Sequence, residues 1–225
     1  MKNEILHYGT VTVLLKNTLH FLMNEGLFKP FVLVGGTNLS LRFGHRLSAD
    51  IDLFSDAVYG SLDFQAFESF LRNHFTYCDR PDRTDIVSFG RSFYVGESAQ
   101  NCIKLDLMYT DPFIREPDIM DGIRLASVDD IVAMKMDAIS RGGRKKDFWD
   151  IHKLLENYTF PQMLQLHEQR YPWVHDESAM LDSMIDFTEA EDWPDPICIE
   201  SAEWDEIKLD LIDVVESYRE SLCGR

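Results

Sequence analysis

The run Val34-Gly35-Gly36-Thr37, followed after twelve further residues by Asp50-Ile51-Asp52-Leu53, constrains this chain more than any other feature. Phe31-Val32-Leu33-Val34 is short, apolar and rich in β-formers, so it reads as a buried strand entering a tight turn at the two glycines. Thr37 to Phe43 then reads as a short helix with Thr37 as its N-cap. Ala49 to Phe54 alternates polar and apolar residues before turning apolar, which gives a second strand. Side chains two apart in a strand point the same way, so Asp50 and Asp52 share one face. Like charges that close are stable when exposed or bridged by a cation. Two strand carboxylates aimed together suit Mg2+, a hard ion that takes oxygen ligands and keeps water for substrate phosphates. A Gly-Gly turn leading into a helix offers backbone N–H groups with no side chain in the way, which suits a phosphate. A metal seat beside a phosphate seat points to a nucleoside triphosphate (NTP).

A second strand extends the pattern. In Ile103-Lys104-Leu105-Asp106-Leu107, Lys104 and Asp106 face one way and the three apolar residues face the other. Paired beside Asp50–Leu53, this strand brings Asp106 into a cluster of three carboxylates. Three acids holding two Mg2+ ions can activate an attacking hydroxyl and stabilise a leaving pyrophosphate. Taken singly, each of these aspartates reads better as the solvent face of an amphipathic strand. The combination with the Gly-Gly turn favours the site.

The remaining elements set the organisation. Residues 3–25 carry apolar side chains at helical spacing, with Gly26 as a cap, and residues 62–76 form another amphipathic helix. Asp85–Phe89 and Ser92–Val95 read as a hairpin with a further turn at Gly96-Glu97-Ser98, and Ile123–Leu125 as a short strand. Ser127 offers an N-cap for a helix from Val128 to about Ser140, and Arg141-Gly142-Gly143 breaks it. A helix from Lys146 to Asn157 follows, and beyond Phe160 the chain reads as helical, apart from the loop at Trp193-Pro194-Asp195-Pro196. The expected architecture is an α+β core over residues 1–126 followed by a helical region over 127–225, packed on the core.

Composition removes several function classes. No apolar run approaches the about 20 residues that span a bilayer, and the N-terminal residues lack the uninterrupted apolar centre of a signal peptide. The expectation is therefore a cytoplasmic protein with no membrane partner. Cys78, Cys102, Cys198 and Cys223 form no CxxC pair, which argues against a zinc module or a disulfide framework. The formal net charge of −17 argues against general coating of nucleic acid. The excess is local: residues 176–220 hold 16 acids and two bases, so the rest of the chain is near neutral. Lys135, Arg141, Arg144, Lys145, Lys146 and Lys153 make the one dense basic region. Lys135 lies among apolar residues of its helix, where a lysine can simply snorkel to solvent. Asp147 and Asp150 share one side of the next helix, and its first turn favours acids in any case.

The residues from Leu33 to Phe54, LVGGTNLSLRFGHRLSADIDLF, resemble the AbiEii/AbiGii toxin family within the polymerase-β nucleotidyltransferase superfamily. The matching positions are Gly35, Gly36, Thr37, His45, Arg46, Ser48, Asp50, Asp52 and Leu53. Leu105-Asp106-Leu107 matches a third motif loosely, Lys135 after Ser127 a fourth, and Lys146-Asp147-Phe148-Trp149-Asp150 a fifth. The resemblance spans residues 10–220 and implies a mixed β-sheet flanked by helices. It implies that Asp50, Asp52 and Asp106 hold Mg2+, with Asp106 completing the site or taking the acceptor's proton. Gly35, Gly36 and Thr37 would receive the NTP phosphates, Ser48 would donate to them, and Arg46 would contact phosphate or pair with a carboxylate. Lys135 would steady the triphosphate, and Asp147 would contribute to catalysis or contact nucleotide, for instance by orienting Lys135 or Arg141. Asp150 reads as structural, and His45 as packed or capping. The implied activity is Mg-dependent transfer of a nucleotide from an NTP to an RNA hydroxyl, such as a tRNA end, or to a protein side chain. The implied setting is the toxin of a bacterial toxin–antitoxin or phage-defence system, with an antitoxin protein as partner. The alternative is a catalytically weak NTP- or RNA-binding module that retains the fold.

Overall fold

The computed structural model describes residues 5–81 and 89–223. The chain divides into two compact units: residues 1–44 with 48–126, and residues 45–47 with 127–225. Among the described residues no helix is long and apolar enough to cross a membrane.

The first unit is built on one mixed sheet. Its strands are β1 (Val32–Leu33), β2 (Asp50–Ser55), β3 (Tyr77–Asp79), β4 (Gly90–Ser98), β5 (Asn101–Tyr109), β6 (Asp118–Met120) and β7 (Ile123–Leu125). Their order across the sheet is β3-β4-β5-β2-β1-β7-β6. The pairs β2·β5 and β1·β7 are parallel and the others antiparallel. Helices α1 (Val13–Asn24), α2 (Gly35–Phe43) and α3 (Phe64–His74) complete the unit. Burial alternates along β2 and β5. Ile51, Leu53, Ile103, Leu105 and Leu107 therefore face a core shared with Leu15, Leu19 and Leu22 of α1 and with Phe64, Phe67 and Leu71 of α3. The even-numbered residues of both strands are left on the opposite face.

Three local readings differ from the sequence expectation. The first helix begins at Val13 because the Thr12 side chain accepts from Leu15 N–H at 3.1 Å and caps it. The second begins at Gly35 rather than after Thr37. The β4 strand runs through Gly96-Glu97-Ser98, and the turn falls at Ala99-Gln100. The strand expected over Asp85–Phe89 lies, apart from Phe89, outside the described residues. Two short strands, β3 and β6, had no clear sequence pattern. The second joins β7 through Asp121-Gly122, both at positive φ (48° and 76°), an Asp-Gly hairpin signal that was there to be read.

The second unit is helical: α4 (Val128–Ser140), α5 (Lys145–Leu154), α6 (Phe160–Arg170), α7 (Glu177–Ser183) and α8 (Trp204–Cys223). Ser127 caps α4, as its position suggested, accepting from Asp130 N–H at 3.1 Å. The core combines Ile131, Met136, Ile139, Ile151, Met163, Ile207 and Leu211 with stacked Trp149 and Trp204. Residues His45–Leu47 join this unit through a bridge between Arg46 and Cys198.

Candidate active site

In the first unit the parallel register places Asp52 opposite Asp106 and Asp50 opposite Lys104. Across the antiparallel pair, Ser92 stands opposite Asp106 and Tyr94 opposite Lys104. One face of the sheet therefore carries Asp50, Asp52, Lys104, Asp106, Ser92 and Tyr94. The alternation of β5 alone puts Lys104 and Asp106 on a common face and says nothing of Ser92 and Tyr94. Strand pairing, which no local pattern encodes, supplies them.

The Gly-Gly turn closes against this face. Val34 N–H donates to the Asp52 carbonyl at 2.9 Å, so the end of β1 is tied to the second aspartate. Gly35 has φ of +69°, and a Cβ there would lie 2.5 Å from Asp52 Oδ2. Conformation and space both demand glycine at this position. The N-terminus of α2 starts at Gly35 with Val34 in the cap position and no side-chain cap. The first N–H groups of a helix have no partner within the helix, and they favour an anion. Thr37 is buried within the first turn. Its hydroxyl donates to the Asp50 carbonyl and lies 2.8 Å from Ser48 Oγ. These two hydroxyls thus hold the start of β2 against α2. Asn38, which the sequence did not single out, ties α2 to the sheet by donating to the Leu33 and Ala126 carbonyls at 2.8 and 3.0 Å.

Lys104 Nζ donates to Asp106 Oδ2 at 2.6 Å. Asp106 Oδ1 is buried and has no hydrogen-bond partner. Partial burial works against the Lys104 charge, yet Asp106, with Asp52 and Asp50 beyond it, holds the ammonium above its ordinary pKa. Among the described residues no group of three or more His, Cys, Asp or Glu side chains is gathered as a metal cage.

The second unit holds a separate charge assembly. Asp150 is fully buried. It receives Arg46 through Nε and Nη2, both at 2.7 Å, and lies 2.7 Å from His45 Nε2. Lys135 Nζ reaches Asp150 Oδ2 and Asp147 Oδ1, each at 2.6 Å. Asp147 also accepts the Arg144 N–H at 3.0 Å at the start of α5. Burial alone would discharge these groups. Instead Arg46 and Lys135 hold Asp150 well below the usual carboxylate pKa, and Lys135 lowers Asp147. For Lys135 the opposing burial is outweighed by Asp147 and Asp150, which raise its pKa. Arg46, Lys135, Asp147 and Asp150 thus form a charge-balanced cluster, and Arg46 takes the carboxylate partner rather than standing apart from acids. Asp150 is the hub, and its buried position is consistent with a structural reading.

The α+β fold with this mixed sheet is that of nucleotidyltransferases. The structure resembles MenT4, a nucleotidyltransferase toxin from Mycobacterium tuberculosis H37Rv (TM-score 0.55, 12% identity, covering 89% of this chain and 82% of that one). It also resembles JHP933 from Helicobacter pylori (TM-score 0.57, 19% identity, covering 93% and 90%). An uncharacterized protein of Aquifex aeolicus (strain VF5) is 28% identical over 184 residues, covering 78% of this chain and 82% of that protein. The family described as "Nucleotidyl transferase AbiEii toxin, Type IV TA system" matches residues 19–221, and the chain belongs to that family. The protein is a toxin-type nucleotidyltransferase.

Proposed function

We propose that this protein transfers a nucleotide from an NTP to a hydroxyl of an RNA, such as a tRNA end, or of a protein, using Mg2+ held on the β2·β5 face. The observation that carries the reading is the register that sets Asp52 against Asp106, with Asp50 on the same face and the Gly35 turn pressed against Asp52. The donor chemistry fits a hard divalent ion. All three side chains are carboxylates, and Asp106 keeps one buried oxygen without a protein partner. When bound, Mg2+ neutralises phosphate charge and acts as a Lewis acid at the transferred phosphorus. Asp50, Asp52 and Asp106 would hold it. Gly35 and Gly36 bring their N–H groups to the phosphates without a side chain between. Thr37 and Ser48 keep that turn in register with β2, and their position at the turn also supports phosphate contact. The attacking hydroxyl displaces pyrophosphate in line, with Asp106 completing the site or taking the proton of that hydroxyl. Lys135, Asp147 and Arg46 are kept in the proposal on the strength of the family motifs, Lys135 toward the triphosphate and Asp147 as the group that orients it. The 2.6 Å Lys135–Asp147 contact supports the orienting role. An antitoxin is the protein partner that fits the family's description.

The test incubates the full chain with each labelled NTP, Mg2+ and total tRNA, alongside Asp52→Asn and Lys135→Gln. Label transfer by the wild type that both variants lose is the expected result. Undiminished transfer by Asp52→Asn would overturn the carboxylate assignment. NTP or RNA binding without transfer would show a binding module instead.

A further inference from the structure

We propose that Asn38 is a positioning residue for nucleotide transfer, setting the direction in which the N-terminus of α2 presents the Gly35 and Gly36 N–H groups to the triphosphate. The inference rests on the phosphate reading above and goes beyond it, since Asn38 is fully buried and acts through the helix it stands on. The first turn of α2 is tied to β2 at two points. Val34 N–H donates to the Asp52 carbonyl at 2.9 Å, and the Thr37 hydroxyl donates to the Asp50 carbonyl. Two points fix only a line, and a helix held at two points can still swing about it. Such a swing would turn the N–H groups that have no partner within the helix away from a bound anion, and hydrogen bonds weaken steeply as their angle closes. Asn38 supplies the third point, on different strands. Its Nδ2 donates to the Leu33 carbonyl at the end of β1 at 2.8 Å and to the Ala126 carbonyl just beyond β7 at 3.0 Å.

The amide can sit only one way round. Arg42, one turn further along α2, donates through Nε to Asn38 Oδ1 at 2.9 Å, and a guanidinium has no acceptor to offer the other end of the amide. Arg42 is itself held through Nη2 by Asp118 Oδ2 at 2.7 Å and by the Ala126 carbonyl at 3.1 Å. Neither strand carbonyl depends on Asn38 for a donor. The Leu33 carbonyl also accepts Ala126 N–H at 3.0 Å, and the Ala126 carbonyl also accepts Arg42. The amide is therefore surplus to the satisfaction of these carbonyls, and what it adds is the hold on α2. The same redundancy means that Asn38→Ala leaves both carbonyls with a donor, which avoids the large cost of an orphaned buried group there.

Isothermal titration of the full chain with inorganic tripolyphosphate, in buffer containing Mg2+, tests the inference without reading transfer. The probe carries the triphosphate and no base, so it reports on the phosphate seat alone. The wild type binds it. Two variants are compared: Asn38→Ala, and Asn38→Asp, which keeps the shape and the Arg42 contact but sets a carboxylate oxygen against the two strand carbonyls. Both should bind about fivefold more weakly or worse, the scale of one hydrogen bond lost, at unchanged stoichiometry. A merely structural role would instead leave fewer competent molecules. Wild-type affinity at reduced stoichiometry, or loss of the folded circular dichroism spectrum in both variants, therefore overturns the positioning role. Wild-type affinity at full stoichiometry in both variants overturns it equally and leaves the phosphate seat standing. A wild type that does not bind tripolyphosphate overturns the phosphate reading itself, and the role of Asn38 with it.

Discussion

Asp150→Asn tests whether the buried charge cluster of the helical unit is held by charge balance. Asp150 is 0% exposed and meets four close contacts: His45 at 2.7 Å, Arg46 twice at 2.7 Å and Lys135 at 2.6 Å. Asparagine keeps the shape but carries no charge, and its amide N–H2 must confront at least one donor. Arg46 and Lys135 are then left with Asp147 as the acid the cluster retains. Removing one member of a buried ion pair costs about 3–5 kcal/mol, because the remaining charge stays desolvated. Urea unfolding followed by circular dichroism should show a loss of that size. Adding Lys135→Met to Asp150→Asn restores balance, so the double variant should lose less than the sum of the singles by at least about 1 kcal/mol. A loss under about 1 kcal/mol for Asp150→Asn, the size of an exposed pair, would refute the reasoning. Strict additivity in the cycle would do the same.

The same cluster predicts an acid limb. Asp150 has a depressed pKa in the folded state, so its contribution is complete above the ordinary value of 3.8 and is lost as pH falls further. Wild-type stability should drop below about pH 4 more steeply than that of Asp150→Asn, and parallel acid profiles would contradict this. Gly35→Ala forces a Cβ to within 2.5 Å of Asp52 Oδ2 at φ of +69°. It should cost about 1–2 kcal/mol of stability from backbone strain and reduce nucleotide transfer at least tenfold; normal transfer rates would show that the turn is not pressed on the site. Trp204→Ala removes a ring stacked on Trp149 at 5.3 Å and edge-on to Phe148 and Phe187, so thermal unfolding should report a loss of about 3–5 kcal/mol. A loss under about 1 kcal/mol there would mean that the cavity collapses.

Much of the candidate site was legible because it follows from short-range geometry. The period-two pattern of Asp50-Ile51-Asp52-Leu53 and of Ile103–Leu107 decided which side chains face the core. Burial along β2 and β5 follows that pattern. Gly35 was legible as a turn residue because a glycine pair after an apolar strand has few other uses. The start of α2 was misplaced because Thr37 is a good cap by composition. Its hydroxyl is instead spent on the Asp50 carbonyl, thirteen residues away.

The sequence by itself determined the alternation of the strands, the glycine bend, the cap of α4, and the family motifs, since each depends on neighbours a few residues apart. Only the tertiary structure decided that β5 lies beside β2 in parallel with Asp52 on Asp106. It also decided that Lys104 occupies one oxygen of that aspartate, and that Asp150 gathers His45 and Arg46 from about a hundred residues upstream. Strand partners and buried charge partners are chosen by how the whole chain satisfies its apolar faces and its desolvated charges at once. No local period carries that information.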